Sequence, residues 1–313
     1  MKYKLFIIVI TVQLVVVIVL LSQIFVKTNN YLGTSIHVIS SKTIQKAPSN
    51  RFKYFYEPKS NTIEKVNEWG PYKGMYTINS DSLNERYNYS EKKDKGVYRI
   101  ITIGDSFTYG LYVDTVNNWT EILEDNLNLL NCQKIEVINL GVYGHDIAYQ
   151  VERFRIRGVK YNPDLVIWFI VDPNRITEFI NEAMEKNKNK LEKQIININS
   201  YEPWIIARQE ILRDYGLDKI YKYQLESLFK INDYYGGKLL LIIQKQNIKQ
   251  SFLFLDEFAK RRNNTTIHMT VDIQNNPDLH FKTDSHPNKE GHKTIAEDVF
   301  QYLTKNKLIP CQP

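Results

Sequence analysis

Two short segments, far apart in the chain, carry residue types suited to acyl-transfer chemistry. In Arg99-Ile-Ile-Thr-Ile-Gly104-Asp105-Ser106-Phe107 a β-branched run stops at a glycine, and a serine follows where a helix should begin. A hydroxyl in that turn lies beside unpaired helical N–H groups and the positive end of the helix dipole, which favour the oxyanion its attack creates. The bland alternative is a helix N-cap, a position where Ser and Asp are strongly preferred. The second segment is Asp284-Ser285-His286-Pro287-Asn288, just before the last amphipathic stretch. A neutral imidazole is the usual base that makes serine nucleophilic near neutral pH, and a carboxylate fixes its tautomer. Ser106, His286 and Asp284 are therefore the candidate catalytic residues.

These side chains can meet only if a fold joins the two segments. From residue 97 onward, short continuous apolar runs alternate with stretches of helical period. The runs are Val97 to Ile103, Ile135 to Leu140, Leu165 to Val171, Lys238 to Ile243 and Thr265 to Val271. Residues 107–130 and 146–158 read as helices, and Lys289 to Leu303 closes the chain with Ile295, Ala296, Val299, Phe300 and Leu303 on one face. Continuous apolar strands separated by helices predict an α/β fold: a three-layer α/β/α sandwich around a parallel sheet. Chemistry in such sheets collects at the carboxyl edge, which a turn after the first strand and a loop before the last helix both reach. Residues 176–235 exceed one crossover helix and predict a helical insertion, either the wall of a pocket or a solvated decoration.

At this point the sequence resembles the SGNH (GDSL) hydrolases, over residues 97–304. The resemblance rests on Gly104-Asp105-Ser106-Phe107, on Asn139-Leu140-Gly141-Val142-Tyr143-Gly144, and on Asp284 to His286 running into Pro287-Asn288. The lead-in Tyr76-Thr-Ile-Asn79-Ser-Asp81, followed by Tyr98-Arg99-Ile100, looks like the membrane-anchored members. The resemblance implies a flavodoxin-like sandwich with five parallel strands and an acyl-enzyme mechanism. Ser106 would be the nucleophile, His286 the base and then the acid, and Asp284 the orienting carboxylate. The oxyanion would be held by the Ser106 and Gly144 backbone N–H groups and by an asparagine amide. Two departures stand out. Where the family has Gly-x-Asn-Asp, this chain has Val171-Asp172-Pro173-Asn174-Arg175. Ungapped alignment puts Pro173 on the asparagine position, and a one-residue loop adjustment restores Asn174. The triad aspartate usually precedes its histidine by three residues; Thr283 stands there, and Asp284 is one residue nearer.

The chain has 313 residues, 43% hydrophobic and 24% charged, with net charge +6 and two cysteines. That excludes collagen-like, disordered and disulfide-framework classes. One stretch departs from the average: residues 5–26 carry no charge and are almost wholly apolar. As a helix they would span about 33 Å, enough to cross a bilayer. With Lys2 and Lys4 before it, the run predicts a single-pass anchor with its N-terminus cytoplasmic and the catalytic domain extracytoplasmic, at the cell membrane. A cleaved signal peptide is the alternative, against which stand the length of the run and the lack of a small-x-small site. The expected organisation is an anchor over 1–26, a stalk and collar over 27–96, and a hydrolase domain over 97–313.

Basic residues alternate with acids, so no nucleic-acid groove is expected. The spacing of His280, His286 and His292 fits no metal face, and no cofactor is expected. In a flavodoxin-like sandwich the first and last helices run side by side, so Cys132 and Cys311, which follow them, are a candidate intrachain disulfide; two unpaired thiols are the alternative. The expected function is a membrane-anchored serine esterase acting on small acyl esters, such as O-acetyl groups of an envelope or exported glycan. The alternatives are an O-acyltransferase to a glycan and a non-catalytic glycan-binding or assembly protein on the same fold.

Overall fold

The computed structural model describes residues 44–66, 72–194, 202–245 and 253–310. Residues 5–26, expected as an anchor, and Cys311 lie outside this set. Among the described residues no helix is long and apolar enough to cross a membrane. The segment before Tyr98, read from sequence as an unpatterned stalk and collar, instead contains two antiparallel pairs. Strand β1 (Ile44–Lys46) pairs with β2 (Tyr56–Pro58), and β3 (Thr62–Val66) with β4 (Gly74–Ile78). The strands are short, with Tyr56 on β2 and Tyr76 on β4. Phe55, Tyr56, Tyr76 and Ile78 are buried against Tyr109, Leu111, Tyr112, Val142 and Tyr143 of the domain that follows. Their partners are thus residues of the short helix and loops beyond the central strands, which a strand's own sequence pattern does not reveal.

The five apolar runs form one parallel sheet: β5 (Tyr98–Gly104), β6 (Ile135–Asn139), β7 (Leu165–Ile170), β8 (Lys238–Gln244) and β9 (Thr265–Thr270). Their spatial order is β6-β5-β7-β8-β9. Alternate residues serve opposite faces, as the two-residue period of a strand requires. Ile101, Ile103, Val166, Trp168, Leu239 and Leu241 enter one core, and Ile100, Ile167, Phe169, Leu240 and Ile242 the other. Each such side chain contributes roughly 1.5–3 kcal/mol by leaving water. The second core is closed by α2 (Trp119–Asn128) and α7 (Lys289–Lys305), through Leu123, Leu127, Ile295, Val299 and Leu303. The first is closed by α3 (Ile147–Arg153), α5 (Glu202–Phe229) and α6 (Leu253–Arg261).

The helix expected over residues 107–130 is broken. A single turn, α1 (Ser106–Tyr109), ends at Gly110 in the left-handed region with φ of +83°. The chain turns away because the Asn118 amide donates to the carbonyls of Thr108 and Tyr109, at 2.9 and 3.0 Å, and so replaces the next helical turn. Likewise the stretch over 146–158 is α3 followed by one wide π-type turn at Phe154–Gly158. The insertion is a pair of helices, α4 (Thr177–Gln194) and α5, the latter kinked at Gly216. Ile176, Ile180, Ala207, Ile211 and Ile220 bury one another between them.

Candidate active site

Ser106 follows β5 directly, at the point where the chain's order across the sheet reverses: β6 lies on one side of β5 and β7 on the other. The turn is tight on every side. A Cβ at Gly104 would lie 2.1 Å from Thr108 Oγ1, and one at Gly141 would lie 2.3 Å from the Tyr109 nitrogen. Only glycine allows the β6 loop to approach α1 so closely. The Asp105 side chain caps the short helix by accepting from the Phe107 N–H at 3.0 Å. At the other end three asparagines hold its carbonyls. Asn118 serves both, Asn139 donates to the Thr108 oxygen at 2.9 Å, and Asn84 to the Tyr109 oxygen at 2.8 Å. One helical turn would be marginal alone; here side chains from three separate segments complete its hydrogen bonding.

His286 reaches this turn from β11 (Asp284–Pro287), which pairs with β10 (His280–Phe281). His286 Nε2 lies 2.8 Å from Ser106 Oγ, with both residues buried. Asp284 Oδ1 accepts from the His286 backbone N–H at 2.9 Å and also contacts Nδ1 of the same ring. With Asp284 two residues before His286, the carboxylate folds back in an Asx turn and holds the main chain and the ring together. Burial pushes the Asp284 carboxyl up, but the facing His286 and its two N–H groups outweigh this and hold it below the usual carboxylate value. An ionised carboxylate is what an imidazole needs to keep its Nδ1 proton and present Nε2 as a base.

Gly144 has φ of +76°, in the left-handed region glycine favours. Its carbonyl accepts from Thr177 Oγ1 at 2.8 Å, which ties it to the start of α4 and hence to the loop after β7. That loop holds Asn174, whose N–H donates to Asp172 Oδ1 at 3.1 Å and whose Oδ1 is buried with no hydrogen bond among the described residues. Ser106, His286 and Asp284 are therefore in direct contact, while Gly144 and Asn174 lie on two loops joined through Thr177.

Other residues of the site carry no motif. Arg175 lies 3.7 Å from Asp105 and 3.6 Å from Asp172, and Arg208, on α5, lies 3.2 Å from Asp172. Burial raises the Asp172 carboxyl, but Arg208 and Arg175 more than offset it and the net shift is downward. Gln224, also on α5, donates to the Arg175 carbonyl at 2.5 Å. The insertion thus pins the loop after β7 at two points. Both contacts span long sequence separations, and no local pattern announces them. His292 lies inside α7, where its Nδ1 accepts from the Trp119 N–H at 3.2 Å. Burial, with His286 nearby, lowers its pKa to about 3, so it is neutral. Among the described residues no cluster of three His, Cys, Asp or Glu side chains could hold a metal ion.

No protein-family model matches the chain, and no curated protein does. Among solved structures, the psychrotrophic esterase EstA from Pseudoalteromonas sp. is similar at 16% identity and a TM-score of 0.45, over 67% of this chain and 99% of that one. TesA is similar at 14% identity and a TM-score of 0.43, over 66% and 98%. A two-domain esterase (CEX) active on acetylated mannans is similar at 16% identity and a TM-score of 0.42, over 69% of this chain and 51% of its own. Similarities of this size assign neither a family nor an activity to the chain.

Proposed function

We propose that this protein is a serine esterase of the SGNH type that cleaves small acyl esters. The observation that carries this reading is the 2.8 Å approach of His286 Nε2 to Ser106 Oγ, with Asp284 on the far side of the ring. In the proposed mechanism Ser106 Oγ attacks the acyl carbonyl while its proton passes to His286 Nε2. The tetrahedral oxyanion is held by the Ser106 and Gly144 N–H groups and the Asn174 amide. His286 then gives its proton to the departing alcohol, leaving an acyl-serine. Water attacks that acyl group with His286 again as base, releasing the acid and restoring Ser106.

The finer parts of the proposal rest on the sequence. O-acetyl groups of an envelope or exported glycan are the proposed substrates, because the uncharged run over residues 5–26 would hold the domain outside a membrane. A Cys132–Cys311 disulfide belongs to the same extracytoplasmic reading, and among the described residues no cysteine is free. The test is labelling by a fluorophosphonate probe, with release of acetate from p-nitrophenyl acetate measured in parallel. Wild type should label and turn over, and Ser106→Ala should do neither. Equal labelling of both proteins, or turnover that survives the substitution, overturns the reading. Dominant transfer of acetyl to a glycan acceptor would instead identify an acyltransferase.

A further inference from the structure

Tyr112 is a residue that the proposed triad leaves out, and three features at this position need one explanation. Its backbone has φ of +72°, a region that aromatic L-residues rarely enter. Its ring is buried and packs edge-on to His286, with centroids 5.6 Å apart at 82°. After burial, the Asp284 carboxylate is the neighbour that most raises the pKa of its phenol. An unfavourable backbone conformation persists only where the surroundings over-determine it, and such positions cluster at functional sites.

What determines this one is the N-terminal segment. The Tyr112 N–H donates to the Tyr76 hydroxyl at 2.7 Å, and Tyr76, on β4, is itself buried against Tyr109. Tyr72 packs tilted against Phe281, with ring centroids 4.3 Å apart, and its hydroxyl accepts from the Thr283 N–H at 3.1 Å, on the turn that leads into Asp284. Residues 72–76 therefore grip both the loop carrying Tyr112 and the hairpin carrying Asp284 and His286.

We propose that Tyr112 is a positioning residue of this site, its phenol fixing Asp284 against His286, and that Tyr72 and Tyr76 hold it in place. The catalytic part of this assignment rests on the esterase reading above. Asp284 has two oxygens. With one engaged by His286, a donor from Tyr112 satisfies remaining acceptor capacity and stops the carboxylate from rotating away from Nδ1. The other groups facing the pair are Asp105, His280 and His292, and none of them replaces a phenol donor on Asp284.

Tyr112→Phe removes the hydroxyl and keeps both the ring and the backbone, so the fold should survive; thermal melting checks this. Two measurements then separate positioning from simple packing. The ¹⁵N shift of His286 Nδ1, followed in labelled wild type and Tyr112→Phe, should differ between the two. With p-nitrophenyl acetate, kcat should fall about ten-fold with KM within about two-fold, as loss of one hydrogen bond to a charged group implies. Tyr76→Phe, which removes the acceptor of the Tyr112 N–H, should reproduce both changes more weakly. An unchanged Nδ1 shift in a folded Tyr112→Phe protein overturns the assignment. If wild type itself shows no Ser106-dependent turnover, the esterase reading fails, while the nitrogen shift still decides whether Tyr112 positions the pair.

Discussion

His286 Nε2 stands 2.8 Å from Ser106 Oγ across a sequence separation of 180 residues. The contact is made by two elements that converge on the carboxyl edge of the sheet: a one-turn helix after β5 and a hairpin before α7. If the pair acts as nucleophile and base, losing either member removes the same step. Ser106→Ala and His286→Ala should each lower kcat on p-nitrophenyl acetate by about 10³-fold or more. The double variant should be no worse than the singles, because residues acting as a unit are not additive. Additive losses in steady-state kinetics would show that the two side chains act separately.

The contact between the β6 loop and α1 depends on a missing side chain. Gly141→Ala puts a Cβ at 2.3 Å from the Tyr109 nitrogen and 2.6 Å from the Thr108 carbonyl carbon, both backbone atoms that cannot rotate aside. The substitution should cost about 2–4 kcal/mol and displace Ser106 with its helix. Denaturant unfolding would measure the first effect and fluorophosphonate labelling rate the second. A variant with wild-type stability would contradict the close approach.

The insertion helix α5 should matter to the site although no motif residue lies on it. Arg208→Ala leaves the half-buried Asp172 with Arg175, at 3.6 Å, as its cation partner among the described residues, and should destabilise by about 1–3 kcal/mol near neutral pH. Asp172 is held below its ordinary value in the fold, so this contribution exists above that value and disappears as the carboxyl protonates in acid. The wild-type advantage in melting temperature should therefore narrow toward low pH. Because Asp172 accepts from the Asn174 N–H, kcat should fall several-fold as well. Melting curves that stay parallel at every pH would remove Asp172 as the mediator.

A second pH effect has the opposite sign. Glu124 is buried beside Glu85 and Glu121, and burial chiefly, with Glu121 adding, raises its pKa to about 7. Bonds from the Val137 N–H and the Tyr89 hydroxyl only partly offset this. The folded state then keeps a proton that the unfolded chain releases near 4.5, so the stabilisation is full below 4.5 and is lost as pH rises to about 7. Glu124→Gln, which cannot ionise, should gain on wild type across that window, by up to about 3 kcal/mol, and run parallel above it. Thermal melts of both proteins from pH 4 to 8 would reveal a constant difference if the carboxyl does not titrate there.

Most of the sheet was legible in the sequence because β5, β6, β7 and β8 are buried on both faces. Trp168 and Phe169, adjacent in β7, enter opposite cores, so the run shows as continuous apolar residues bounded by polar turns. The break at Gly110 was not legible, because the group that ends α1 is the Asn118 side chain, folded back over a loop. Ser106, His286 and Asp284 could be named in advance, since each sits in a short segment whose composition reflects a local turn. Tyr112, Arg208 and Gln224 could not: their partners, Asp284, Asp172 and the Arg175 carbonyl, come from other elements.

The sequence by itself thus determined the alternation of strands and helices, the turn residues at each strand end, and the three side chains proposed for acyl chemistry. These follow from local rules: the period of apolar positions, the conformational freedom of glycine, and the ionisation of imidazole and carboxylate. The tertiary structure decided which of these groups touch, that residues 72–76 brace the hairpin of His286, and that α5 pins the loop after β7. Those are contacts between segments distant in sequence, selected by packing and by the need to satisfy buried polar groups, and no local pattern encodes them.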